Sequence, residues 1–120
     1  MRISKERTIA ELAQDFHTTF PGLKLRFYKK EHQEHEGSPK GTEHPSHLTL
    51  GAINPEVPSG EILLTGDRTV TSFEGELEER FGLHAQVFRR SKNLWLQTTS
   101  TDYWSLATQN QRGLHTVQAI

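Results

Sequence analysis

Apolar residues at Ile9, Leu12, Phe16 and Phe20 fall at spacings of 3, 4 and 4, which places them on one stripe of an α-helix. Val70, Phe73, Leu77 and Phe81 repeat those spacings. After each stripe the period changes to two. Leu23, Leu25 and Phe27 alternate with Lys24, Arg26 and Tyr28, and Leu83, Ala85 and Val87 alternate with His84, Gln86 and Phe88. Such alternation marks a strand with one face against a core. The first set in each strand is expected to face the helices and the second set to face outward. Thr8 with Glu11, and Thr71 with Glu74, fit capping boxes at helix starts. Gly22 and Gly82 stand where a helix closes on a left-handed residue.

These two helix-then-strand stretches align with a single gap at Pro21, Arg7 to Lys30 against Arg68 to Arg90. Identities fall at Arg7/Arg68, Thr8/Thr69, Phe20/Phe81, Gly22/Gly82 and Leu23/Leu83. Short strands are expected before each helix, at Arg2-Ile3-Ser4 and at Glu61 to Thr65. The pattern predicts an α+β fold: a ferredoxin-like sandwich of two pseudo-repeated β-α-β units, residues 1–30 and 61–98. Its mostly antiparallel sheet has four or five strands, including Leu94 to Thr98, which pairs with Leu83–Arg90. A short last helix, Tyr103 to Gln111, is closed by Gly113. Residues 31–46 contain no apolar side chain and are expected to form a flexible loop. His47 to Ile53 is read as a short strand or turn.

Composition narrows the classes. A chain of 120 residues fits a single domain, 1–120. There is no cysteine, which excludes disulfides, cysteine-ligated metal sites and thiol nucleophiles. The formal charge of −1 argues against a surface adapted as a whole to nucleic acid or anionic lipid. Lys5, Glu6, Arg7, Glu11 and Asp15 interrupt any apolar leader, and no run approaches the roughly 20 apolar residues of a membrane span. A cytoplasmic protein without a membrane partner is expected.

Candidate chemistry is sparse. His32, His35, His44 and His47 form two pairs at i, i+3 and could ligate a metal, but a solvated polar loop is the preferred reading, because ligands need orienting partners. No H-E-x-x-H helix, G-x-S-x-G elbow, P-loop or Rossmann fingerprint is present, and Gly66-Asp67 reads as a plain strand-to-helix turn. Glu74, Glu76, Glu78 and Glu79 read as a solvated acidic face. No nucleophile, general base or cofactor is nominated, so a non-enzymatic role is expected.

The outer sheet face carries the most information. Arg26, Tyr28, Phe88, Arg89, Arg90 and Trp95 bring aromatic rings and cations together, a composition enriched at interface hot spots. A protein partner or a second copy of the chain is favoured there over nucleic acid, because the glycine–aromatic pattern of RNA-recognition modules is missing. A rival reading covers those rings with the last helix, which carries Tyr103, Trp104 and Leu106. The stretch from Phe81 to Asn110, with Phe20-Pro21-Gly22-Leu23 and Lys29-Lys30, resembles a family of small bacterial hypothetical proteins. That resemblance implies a bacterial, stand-alone protein and brings no activity, cofactor or site residue.

Overall fold

The structure, a computed structural model, describes residues 1–29 and 42–118, with side chains through His115. The chain runs β1 (Arg2–Ile3), α1 (Ile9–Thr19), β2 (Leu23–Phe27), α2 (Leu50–Ile53), β3 (Gly60–Glu61), α3 (Val70–Phe81), β4 (Ala85–Ser91), β5 (Leu94–Gln97) and α4 (Leu106–Gln118). A 3-10 turn, Thr99–Thr101, leads from β5 toward α4. The class is α+β, as expected. None of the helices described is long and apolar enough to cross a membrane.

Side-chain caps set both long helices. Thr8 caps α1: its hydroxyl accepts from the Glu11 N–H at 3.2 Å, and the Glu11 carboxylate accepts from the Thr8 N–H at 2.8 Å. The capping box expected at Thr71 and Glu74 does not form. Thr69 caps α3 instead, accepting from the Ser72 N–H at 3.0 Å. Thr71 therefore lies inside the first turn, where its hydroxyl donates to the Asp102 carbonyl at 2.9 Å. At the far end Gly82 takes φ +61°, which closes α3 as expected and which a side chain would strain.

Gly22 serves another purpose. Helix α1 already ends at Phe20, and the only glycine with positive φ in the described chain is Gly82. At Gly22 the α4 backbone comes so close that a Cβ would meet the Asn110 carbonyl, and a Cβ on Gly113 would meet the Gly22 carbonyl. Gly113 thus does not end the last helix. It lies inside α4, where the absence of a side chain lets the helix backbone rest on the start of β2.

Both helical stripes meet the predicted strand face. Ile9, Leu12, Phe16, Val70, Phe73, Leu77 and Phe81 join Leu23, Leu25, Phe27, Leu83, Ala85 and Val87 in one buried cluster. The Phe16 and Phe73 rings stack at 5.2 Å between α1 and α3. Residues 47–53, read from sequence as strand or turn, instead supply α2: Thr49 caps it and Leu50 is fully buried.

The strands form two antiparallel sheets rather than one of four or five strands. β1 pairs with β3 through Arg2↔Glu61 and Ile3↔Gly60, while β2, β4 and β5 pair in that order. β1 and β3 are each only two residues long, and each finds its partner in the other. The strand expected over 61–65 ends at Glu61, and Leu63 is exposed. Beyond β2, the Lys29 N–H donates to the Thr42 carbonyl at 2.9 Å and the His44 N–H to the Phe27 carbonyl at 2.8 Å, so residues 42–44 pair with the C-terminal end of that strand.

The contacts around α1 have counterparts around α3. Ile9 N–H donates to Leu48 O (2.9 Å) and Leu50 N–H to Arg7 O (2.8 Å); Val70 N–H donates to Trp104 O (3.1 Å) and Leu106 N–H to Arg68 O (2.9 Å). These bonds tie the N-terminus of α1 to that of α2, and the N-terminus of α3 to that of α4. Arg7 reaches Asp15 at 2.7 Å and the Arg2 carbonyl at 2.9 Å. Arg68 reaches Glu76 at 2.8 Å and the Leu63 carbonyl at 3.2 Å.

Candidate functional site

The expected aromatic face is closed. Tyr28 is 4% exposed and Phe88 5%, and Gln86 beside them is buried as well. Arg26 lies with its guanidinium 4.9 Å from the Phe88 ring centroid and its Nε 3.7 Å from Glu43. Burial, with Glu43 adding to it, raises the Tyr28 hydroxyl above its ordinary pKa. Period-two alternation makes Tyr28 and Phe88 share a face with Lys24, but it cannot show that this face is covered. Those two rings are therefore not available as binding residues in the described fold.

Trp95 remains at the surface and is half-buried. Two cations approach its ring, Lys24 at 5.2 Å and Arg90 at 5.5 Å, and the His17 ring meets it edge-on at 6.2 Å. The Lys24 ammonium lies below its ordinary pKa, chiefly through burial and secondarily through Arg26. On the opposite face Trp104 is flanked in the same way, by Arg89 at 5.5 Å and Arg112 at 5.4 Å. Arg89 also donates to the Gln109 side chain at 2.9 Å. Sequence reasoning singled out Arg89, Arg90 and Trp95 but read Trp104 only as part of a cover. The structure places Trp95 on β5, Arg89 and Arg90 on the neighbouring β4, and Trp104 over Arg89.

What β5 leaves exposed is apolar. Leu94 is 64% exposed, Leu96 41% and Tyr103 69%. Leu96 is the register partner of Arg89 and Leu94 of Ser91, so both leucines point to the face that carries the helices, yet both are exposed there. Strand pairing made Leu94 to Thr98 legible as a strand. Its position at the sheet edge was not legible, because that depends on which strand is missing.

The other candidate groups are engaged elsewhere. His32 and His35 lie outside the described residues. His44 is half-buried, with a pKa lowered by burial and by Lys29, and His47 is exposed. No group of three His, Asp or Glu residues able to hold a metal occurs among the described residues. The supposed acidic face of α3 is largely paired. Glu76 bonds Arg68 and Arg80, and against the opposing effect of burial those bonds hold its pKa below the ordinary value. Glu78 bonds His84. Glu74 turns its carboxyl inward to accept the Val87 N–H at 2.8 Å, and burial pushes its pKa up to about 8. A shallow depression by Met1, Asp15, Thr18, Thr19 and Leu64 offers one carboxylate, and Arg7 already holds it.

Comparison with known proteins brings no relative to this arrangement: no family model, no curated protein and no solved structure matches the chain.

Proposed function

We propose that the protein is a non-enzymatic protein-binding or assembly module whose contact surface is the β5 edge with its flanking tryptophans. The observation that carries this reading is the exposure of Leu94 and Leu96 on a strand that pairs on one side only among the described residues. An edge strand offers backbone donors and acceptors, and alternate side chains supply selectivity, which is how extended segments add to a sheet. The surrounding Trp95, Trp104, Arg89 and Arg90 have the residue types of interface hot spots.

Single-stranded nucleic acid is the weaker reading of the same surface. Base binding there needs open ring faces, and each tryptophan already has two cations within 5.5 Å of its centroid. A base could stack only by displacing one of them. The matched hydrogen bonds around α1 and α3 support a further part of the proposal, that the chain is a duplicated helix–strand unit in which the second copy acquired β5 and a longer final helix.

The test is capture from a bacterial lysate with the wild-type chain and with a Leu94→Lys/Leu96→Lys variant, each with and without nuclease. The proposal expects a protein that survives nuclease and is lost with the variant. Recovery that depends on nucleic acid, with the leucine changes neutral, would overturn it.

A further inference from the structure

We infer that the partner of the β5 edge is a second copy of this chain, added antiparallel across a twofold axis at Trp95; this rests on the reading of β5 as a contact surface. The Thr98 N–H donates to the Val87 carbonyl at 3.2 Å, so the backbone groups of Thr98 face β4. In an antiparallel ladder this direction alternates, which turns the groups of Leu96 and Leu94 toward β4 and those of Trp95 outward. Opposite residues of an antiparallel pair share a sheet face. With Trp95 opposite its own copy, Leu94 lies opposite Leu96 of the second chain, and Leu96 opposite Leu94. The two pairs are of the non-hydrogen-bonded kind, in which side chains come closest. Four exposed leucines thus bury one another on the helix side.

Charge fits the antiparallel sense. With Trp95 opposite its copy, Lys92 falls opposite Thr98 of the second chain, so twofold pairing keeps the two Lys92 side chains at opposite ends of the seam. A parallel in-register arrangement would set Lys92 beside its own copy. The formal charge of −1 per chain adds no long-range repulsion of consequence. Closure also follows: joining β5 to its copy gives one six-stranded sheet, β2-β4-β5 and its mirror order, whose outer edges are five-residue β2 strands with residues 42–44 bonded at their C-terminal ends. The product is a dimer rather than a fibre. A four-residue edge falls short of the roughly 800 Å² per partner of a standard interface, so the dimer dissociates on dilution.

Sedimentation velocity of the full chain over about a hundredfold concentration range tests this. The expected result is a shift from the mass of one chain to that of two, with Leu96→Lys weakening association about tenfold or more. Register is tested by thiols, since the chain has no cysteine. A mixture of Leu94→Cys and Leu96→Cys chains is expected to form the mixed disulfide under mild oxidation, far in excess of either variant alone. A single-chain mass throughout, an association indifferent to Leu96→Lys, or disulfides without preference for the mixed pair would each overturn the inference. If the chain stays single while a lysate protein is captured in a leucine-dependent way, self-pairing fails and the contact-surface reading stands. If neither association occurs, both fail.

Discussion

Glu74 is the residue whose environment departs furthest from its sequence appearance. The β4–β5 ladder ends at Phe88↔Gln97, and Thr98 meets Val87 only as a donor to its carbonyl. The Val87 N–H is taken up by Glu74, which stands in for the missing strand. Burial raises the carboxyl from 4.5 to about 8, with Asp102 acting in the same direction and the Val87 bond against it. A folded-state pKa above the unfolded one contributes stability that is complete at low pH and is lost as pH rises through the folded value. Wild-type protein is therefore expected to lose about 2–4 kcal/mol from this group between pH 4.5 and 8. Glu74→Gln keeps the acceptor and removes the titration. Urea unfolding of both proteins at several pH values checks this: the difference between them should grow across that window, and a constant difference would refute the assignment. The glycines give a second residue-level expectation. Gly113→Ala forces a Cβ onto the Gly22 carbonyl and should cost about 1–3 kcal/mol. Gly75→Ala, with nothing within 4 Å, should instead stabilise α3 by about 0.5–1 kcal/mol. Equal effects from the two would show that α4 does not rest on β2.

At the scale of elements, stability of the helix starts is shared between neighbours. Thr8 and Thr69 each cap their own helix, and each also forms a β-bridge to the residue capping another, Thr49 and Ser105. Thr8→Ala and Thr69→Ala should each cost about 1 kcal/mol in denaturant unfolding, the loss of one cap. Thr71→Ala, the change that a capping box at Thr71 and Glu74 would make equivalent, should leave the α3 cap intact. These elements also mark what the sequence could disclose. The stripes of α1 and α3 and the inner face of β2 were legible because each follows one period against one core. The box at Thr71 was misplaced since Thr69 and Thr71 are equally good cap residues, and only the bridge to Ser105 selects the first. α2 was missed because four residues are too few to show a period. Gly113 looked like a terminator because a glycine needed for close packing and one needed at a helix end are the same letter. In the candidate site, Trp95 could be found from strand alternation, and Arg89 and Arg90 from the clustering of cations at the strand ends. Tyr28 and Phe88 obey the same alternation yet are buried, and Leu94 and Leu96 are exposed against it, since both outcomes depend on layers that a single strand does not encode.

For the molecule as a whole, the joining of its two halves falls heavily on α4. The N-terminus of α4 matches that of α2 in its bonds, but α4 is 13 residues long where α2 has four. The added length crosses from the second half to the first. Leu106 is fully buried in the common core, and Gln109, also buried, donates to the Thr101 carbonyl at 2.8 Å while accepting from Arg89. Asn110 accepts the Gly22 N–H at 2.7 Å, at the mouth of β2. Helix α2 has no comparable reach. Removing everything after Ser105 deletes a core leucine, the Leu106 N–H that bonds the Arg68 carbonyl beside the α3 start, and the helix that rests on Gly22. The burial lost with Leu106 alone is about 2–3 kcal/mol, and each severed buried hydrogen bond adds about 1 kcal/mol, together a large share of the 5–15 kcal/mol typical of a domain. A chain ending at Ser105 is therefore expected to lose the cooperative urea transition, with β2 and β4 amides exchanging freely. Persistence of a cooperative transition in that chain would mean that the core between α1 and α3 suffices by itself and that α4 is an accessory of β5, placed to shape the contact edge rather than to hold the halves together.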